Sequence, residues 1–328
     1  MAKQMLTLSN DNVKSLLTVK DAIEAVEQSF REVASGRVKM NRSLIDITQH
    51  DGTYLSMASY LQGANKLGIK IVTAYKNNPS RFNLPTVMAT VLLFRPETGE
   101  PVSIMDGAHI TSMRTGAASA LATKHLARED SHSVGIIGTG IQGRTHLTSI
   151  CQVRKVTECT AYDIDTASCQ RFVSEMTQQL GIPITASKNA EEVVTRSDII
   201  VTATTSSTPV VKGEWLREGT HINSIMSISP AMRELDDRAI KSSKIVVDDI
   251  ETALKESGDL VMPIASGLIS REDIYAELGD IVIGRKKGRT NEKEITLFKS
   301  VGLPSHDVCV ASKVYEKAVA GGFSGKAS

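Results

Sequence analysis

The segment Gly138-Thr139-Gly140-Ile141-Gln142-Gly143 spells GxGxxG, a string that carries chemistry only in the right setting. Here an apolar run, SVGII, leads into it and a helix-like segment leads out. Asp163 closes the next strand-like run, 20 positions after Gly143. Strand, turn, helix start and acid together make a dinucleotide-binding fingerprint. Gly138 permits the tight turn, Gly140 lets a pyrophosphate approach the backbone, and Gly143 lets helix and strand pack closely. The backbone around Thr139, Ile141 and Gln142 then offers N–H groups to the phosphates at the helix start. Asp163 can accept from ribose hydroxyls and would repel a 2′-phosphate, so NAD is the expected cofactor and NADP the alternative. Arg144 is either a phosphate contact or a solvated charge on the helix surface.

Further on, Thr204-Thr205-Ser206 follow the strand-like run DIIVTAT. In a parallel sheet the ligand crevice lies beyond the carboxyl ends of the strands, so these hydroxyls are expected on the nicotinamide side. A Ser/Thr loop without a ligand is the other reading. The first third of the chain holds three cations of interest, Arg42, Lys70 and Arg114. Lys70 sits in LGIKIV, an apolar run in which an unpaired charge is costly. Arg114 sits in MRTGAA, where small neighbours permit close packing around a guanidinium. Arginine binds a carboxylate through two parallel hydrogen bonds, which suits recognition of an imino or amino acid. Spacing alone favours ordinary strand and helix surface charges for all three.

The elements that must position these residues fall into two patterns. The chain opens on a helix that Thr18 can cap, with Asp21 three residues on and Gly36 as its stop. Ile23, Val26, Phe30 and Val33 fall on one face of it. Strand-like runs follow at Ser43–Ile47, Thr53–Met57, Leu67–Thr73, Thr86–Phe94 and Val102–Met105, separated by turn signals such as Asp51-Gly52. They predict a mostly antiparallel sheet. A helical, small-residue-rich stretch from His109 to Ala127 then links to a β-α-β rhythm. Its strands are predicted at Ser133–Gly138, Glu158–Asp163, Ile184–Ala186, Asp198–Thr204, His221–Met226 and Ile245–Asp248. That alternation signals a doubly wound parallel sheet, a Rossmann domain. The expected class is α/β: a Rossmann domain over residues 116–299, and an α+β domain from residues 1–115 with 300–328. The stretch from about Glu294 is read as a return to the first domain.

Composition bounds the function. At 328 residues the chain suits two domains, and 41% hydrophobic with 23% charged residues is ordinary for a soluble protein. Net charge is +1 with no basic block, which argues against nucleic acid as partner. No apolar run approaches the roughly 18 residues of a membrane span, and MAKQMLTLSN lacks a signal-peptide core. Four cysteines and seven histidines show neither metal-ligand spacing nor a disulfide framework. No metal is expected, and the expected location is cytoplasmic.

Read together, GIKIVT, PETGEPVSIMDGAHITSMRTGAASALA, VGIIGTGIQG, DIIVTATTSSTPV, EGTHINSI, ELDDRAI and IVVDDIE resemble the ornithine cyclodeaminase/μ-crystallin family. The likeness runs in order over nearly the whole chain, and points to the ketimine reductase and archaeal-type alanine dehydrogenase branch. It implies a homodimer whose N-terminal domain supplies the subunit interface and substrate pocket. It also implies that Arg42 and Arg114 clamp a substrate carboxylate, and that Lys70 stands beside the reacting C–N centre as proton donor or electrostatic partner.

Two departures stand out. Ile228 takes the place of an acid that the cyclodeaminases and the archaeal-type alanine dehydrogenase carry there, and the usual Met-Pro of the pocket strand reads Met57-Ala58. Isoleucine can neither take a proton from an amine nor hold its cation. The expected function is therefore NAD(P)H-dependent reduction of a small cyclic imino acid such as Δ1-pyrroline-2-carboxylate. The alternatives are an alanine dehydrogenase, an ornithine cyclodeaminase, and a μ-crystallin-like binding protein with little turnover.

Overall fold

The computed structural model describes residues 5–323, which form two compact units. One unit runs up to Arg114 and resumes at Leu303; the other is Thr115–Gly302. The helix Ala108–Leu126 carries the chain from one to the other.

The first unit is built on six strands: β1 (Leu6–Leu8), β2 (Val38–Ile47), β3 (Gly52–Leu61), β4 (Lys66–Tyr75), β5 (Val87–Phe94) and β6 (Pro101–Asp106). Their order is β1-β6-β5-β4-β3-β2, with β1 parallel to β6 and every other pair antiparallel. Val19–Ala34 forms the opening amphipathic helix, and Thr18 and Asp21 close a reciprocal capping box. Its buried face differs from the expected one. Val26 and Phe30 are at its centre, but Ala22, Ala25 and Ser29 flank them in place of Ile23 and Val33. The C-terminal helix Pro304–Ala320 explains this, because small residues let two helices approach until Ser29 Oγ donates to Ser305 Oγ at 2.8 Å. That C-terminal helix packs on one face of β2–β5.

The second unit is a wholly parallel sheet of β7 (Ser133–Ile137), β8 (Glu158–Tyr162), β9 (Ile184–Ala186), β10 (Ile199–Thr202), β11 (His221–Ser224), β12 (Ser243–Val247), β13 (Ile274–Glu277) and β14 (Ile295–Lys299). The order β13-β12-β14-β11-β10-β7-β8-β9 reverses direction between β7 and β10, the point at which such sheets bind ligands. One expectation is corrected here. The stretch from Glu294 does not leave at once: β14 inserts between β12 and β11, and the return begins at Leu303. A short run buried on both sides has no periodicity of its own, so only the sheet order reveals it. The strands β1 and β13, also absent from the expected set, are edge strands of three and four residues, too short for their alternation to stand out.

The small residues of Ala108–Leu126 have a packing reason. A Cβ at Gly116 would meet Ser149 Oγ at 2.8 Å and Thr145 Cγ2 at 2.9 Å, so the helix lies directly on Ile141–Ile150. Its last carbonyls are capped by arginines: Arg154 Nη2 donates to Thr123 O and Ala127 O at 3.0 Å, and Arg289 Nε to Leu126 O at 2.7 Å. Among the described residues no helix is long and apolar enough to cross a membrane.

Each unit encloses a histidine held neutral. Burial, reinforced by nearby arginines, lowers His221 to about 3; burial and the Arg114 charge do the same to His306, also about 3. A base with a depressed folded pKa leaves the unfolded chain to take up the proton first, so stability is full above about 6.5 and is lost as pH falls toward 3. Urea titrations should show the unfolding free energy falling by about 1.4 kcal/mol per pH unit for each histidine between pH ~6 and ~5, before most carboxylates titrate. A flat profile there would contradict the burial of both imidazoles.

Candidate active site

In the first unit the strand register sets three of the singled-out residues in one row. Arg42 of β2 stands opposite Met57 of β3, and Met57 opposite Lys70 of β4. Directly opposed residues project from the same face of a sheet, and this is the face that carries the C-terminal helix. Met57 is buried, Lys70 is 1% exposed, and Arg42 is half-buried. Arg114 enters from the helix Ala108–Leu126 and is 8% exposed.

Asp307, which the sequence reading passed over, joins them from the first turn of the helix Pro304–Ala320. Its Oδ1 accepts from Lys70 Nζ at 2.7 Å and from Arg114 Nε at 3.1 Å. Its Oδ2 has no hydrogen-bond partner among the described residues, and the residue is 0% exposed. A helix N-terminus favours an anion, and two cations favour it more. Burial alone would push the Asp307 carboxyl up, yet Lys70 and Arg114 hold it below the ordinary carboxylate value. Burial lowers the Lys70 ammonium to about 8, with Arg114 and Arg42 adding to that fall and Asp307 opposing it. The signal for Asp307 was present in the sequence: an acid inside VGLPSHDVCVA is as costly without a partner as a lysine inside LGIKIV.

In the second unit the glycine turn has the shape a dinucleotide needs. Gly138 takes φ +97°, and a Cβ there would lie 2.4 Å from Ala203 O; a Cβ at Gly143 would lie 2.3 Å from Gly138 O. At Gly140, the N-cap of the helix Ile141–Ile150, a Cβ would meet nothing within 4 Å. The first two glycines are required by the fold, whereas Gly140 has open space beside it. The first turn of that helix has N–H groups without intrahelical acceptors. These features fit a pyrophosphate.

Asp163 stands just past β8 and braces the turn: Oδ2 accepts from Thr139 N at 2.7 Å and Thr139 Oγ1 at 2.9 Å, and Oδ1 accepts from Asp165 N at 3.0 Å. A carboxylate has about four acceptor positions, which leaves capacity for a ribose hydroxyl. Arg144 has partners within its own unit. Its guanidinium donates to Glu175 Oε2 at 2.7 Å and to Thr139 O, and lies over the Phe172 ring.

The loop after β10 is held from below. Thr204 donates from both N and Oγ1 to Glu234 Oε1, at 2.7 and 2.9 Å, and Ser206 Oγ donates to Thr208 O at 2.6 Å. Two of the three singled-out hydroxyls thus face the protein, and Thr205 is the exposed one. Glu234 also accepts from Thr202 Oγ1 and Met226 N, and Asp259 accepts from Glu234 N and Ser224 Oγ, with Lys299 Nζ 3.6 Å from Asp259. Burial raises the Glu234 carboxyl, Lys299 opposing and Asp259 adding to it. This network ties the ends of β10, β11 and β14 together. Glu234 is the first residue of the ELDDRAI segment. Ile228, on the loop after β11, is 42% exposed, and its own N–H donates to Met226 O at 2.8 Å.

Comparison with known proteins gives these arrangements a context. The chain is 46% identical to the Δ1-pyrroline-2-carboxylate reductase of Thermococcus litoralis, solved with NADH and L-proline; the two superpose with TM-score 0.94 over 97% of this chain and 98% of that one. An archaeal alanine dehydrogenase dimer with bound NAD matches at 39% identity and TM-score 0.93, covering 99% of both chains. The alanine dehydrogenase of Archaeoglobus fulgidus is 40% identical over 316 residues, 96% of each chain. A family model covers residues 2–322, and the chain belongs to the ornithine cyclodeaminase/mu-crystallin family.

Proposed function

We propose that this chain uses NADH to reduce a small cyclic imino acid, Δ1-pyrroline-2-carboxylate or its six-membered homologue. The observation that carries the reading is Lys70, a buried amine at about 8 set in one row with Arg42 and bound through Asp307 to Arg114. Bound NADH supplies the hydride that the imine carbon receives. Arg42 and Arg114 hold the substrate carboxylate, which fixes the imine face. Lys70 Nζ gives a proton to the imine nitrogen as the C=N π pair becomes the nitrogen lone pair. An ammonium near 8 is mostly protonated at neutral pH yet releases its proton readily. Gly138, Thr139, Gly140, Ile141, Gln142 and Gly143 cradle the pyrophosphate, Asp163 takes the ribose, and Thr205 with the braced Thr204 and Ser206 borders the nicotinamide. Met57, buried between Arg42 and Lys70 in the same row, gives the substrate an apolar neighbour.

The reductase solved with NADH and L-proline supports this substrate class. Similarity to the Archaeoglobus alanine dehydrogenase favours a second reading, the interconversion of pyruvate, ammonia and alanine. That reaction has an additional carbinolamine to protonate and dehydrate, and Ile228 offers no second acid–base group for it.

The first unit also presents a surface for a second copy. Its helices cover the face bearing Met57 and Lys70, while the opposite face carries the rows Ala58-Ile69-Leu92-Ile104 and Tyr60-Leu67-Phe94, half-buried and, among the described residues, without a covering element of this unit. A sheet face left to water is normally polar. An apolar one fits a homodimer, as does the dimeric archaeal relative.

Three outcomes are expected. NADH oxidation followed at 340 nm should proceed with pyrroline-2-carboxylate, and Lys70→Ala should lower kcat/KM by about 100-fold or more, the scale of general-acid catalysis; turnover only with pyruvate plus ammonium would move the assignment to alanine dehydrogenase. Gly140→Ala should keep its melting temperature but weaken NADH binding about tenfold, whereas Gly143→Ala should lose about 1–3 kcal/mol of stability by overpacking. Ile69→Asp should convert a dimer into a monomer by light scattering, and an unchanged mass would remove this face from the interface.

A further inference from the structure

We propose that Asp307 is a positioning residue, whose single oxygen Oδ1 holds Lys70 as the proton donor and aims Arg114 at the substrate carboxylate. The inference rests on the imine-reductase reading and adds to it a residue that neither touches substrate nor moves a hydride. Its basis is geometric. The two bonds of 2.7 and 3.1 Å converge on one atom, from a strand and a helix that the C-terminal helix alone brings to the same carboxylate. Because Arg114 binds through Nε, its terminal nitrogens remain as the edge that grips a second carboxylate.

The charges around Lys70 make Asp307 necessary. Arg42 faces it from β2, Arg114 from the helix Ala108–Leu126, and Asp307 with His306 from the C-terminal helix; Met57 and Val91, its partners on the flanking strands, carry no charge. His306 is buried and neutral at physiological pH. Take away the aspartate and three cationic groups face one another, with the lysine itself removed from water. The lysine is the one that can relieve this, by losing its proton. An imine nitrogen would then meet a neutral amine, with no proton to receive.

The test compares Asp307→Asn, which removes the charge at constant shape, with Asp307→Glu, which keeps the charge on a longer arm. In the unaltered enzyme kcat/KM for pyrroline-2-carboxylate should fall above a pH near 8. Asp307→Asn should move that alkaline limb down by about one unit or more and cost about tenfold or more in kcat/KM at neutral pH, with NADH affinity unchanged. Asp307→Glu should leave the limb within about half a unit while kcat/KM drops about fivefold as Arg114 is re-aimed. An unmoved limb in Asp307→Asn overturns the proposal, as does full kcat/KM in Asp307→Glu; the latter stands as the test should the asparagine variant not fold. NMR titration of 13C-labelled Lys70 in the same proteins needs no turnover. A Lys70 midpoint that falls in Asp307→Asn supports the inference even if the substrate is another imine, and one that stays put overturns it whatever the substrate.

Discussion

Two buried cations, Lys70 and Arg114, share one carboxylate oxygen of Asp307, and much of the first unit is arranged so that they can. Removing three charges from water costs several kcal/mol each, and only close geometry recovers that cost. The C-terminal helix must therefore approach β4 closely. Gly68, two residues before Lys70, permits this: a Cβ there would lie 2.8 Å from Leu92 O and 3.2 Å from Val308 Cγ2. On the helix's other side, Ala22, Ala25 and Ser29 keep the opening helix close. The cluster keeps a cationic excess, which is the condition for taking up an anionic substrate.

The second unit solves a different problem with similar means. A parallel sheet leaves its polar backbone ends at one edge, and ligand loops grow from there. Those loops are irregular, so something must hold them. The turn after β7 is braced by Asp163 through Thr139 and by Arg144 through Thr139 O. The loops after β10 and β11 are fastened by Glu234 and Asp259, with Lys299 supplying the counter-charge. Charged groups thus stiffen the rim from inside, while Gly140 keeps open space beside it.

The parts that could be read from the sequence share a property: their signal is local. A strand, a glycine turn and an acid 20 positions on are contiguous in the chain, so the dinucleotide fingerprint was visible. The parallel rhythm of β7, β8, β9, β10 and β11 was visible for the same reason. What escaped was set by partners far away. Asp307 is 237 positions from Lys70 and 193 from Arg114, and nothing in spacing joins them. The strand β14 is a short run whose place between β12 and β11 depends on neighbours that are not adjacent in sequence. The pairing of Arg144 with Glu175 and its place over Phe172 likewise join segments that are not neighbours in sequence.

By itself, then, the chain's order of residues determined that a dinucleotide-type turn is present, that two kinds of sheet follow one another, and that Lys70 and the two arginines are unusual where they stand. Periodicity, turn chemistry and the expense of a charge in an apolar run are all properties of short segments. Tertiary structure decided which cations meet, on which atom, and with what effect on the lysine's proton. Those outcomes depend on burial and on distances of a few ångströms between segments from opposite ends of the chain, and electrostatic energy inside a protein is governed by just those two quantities.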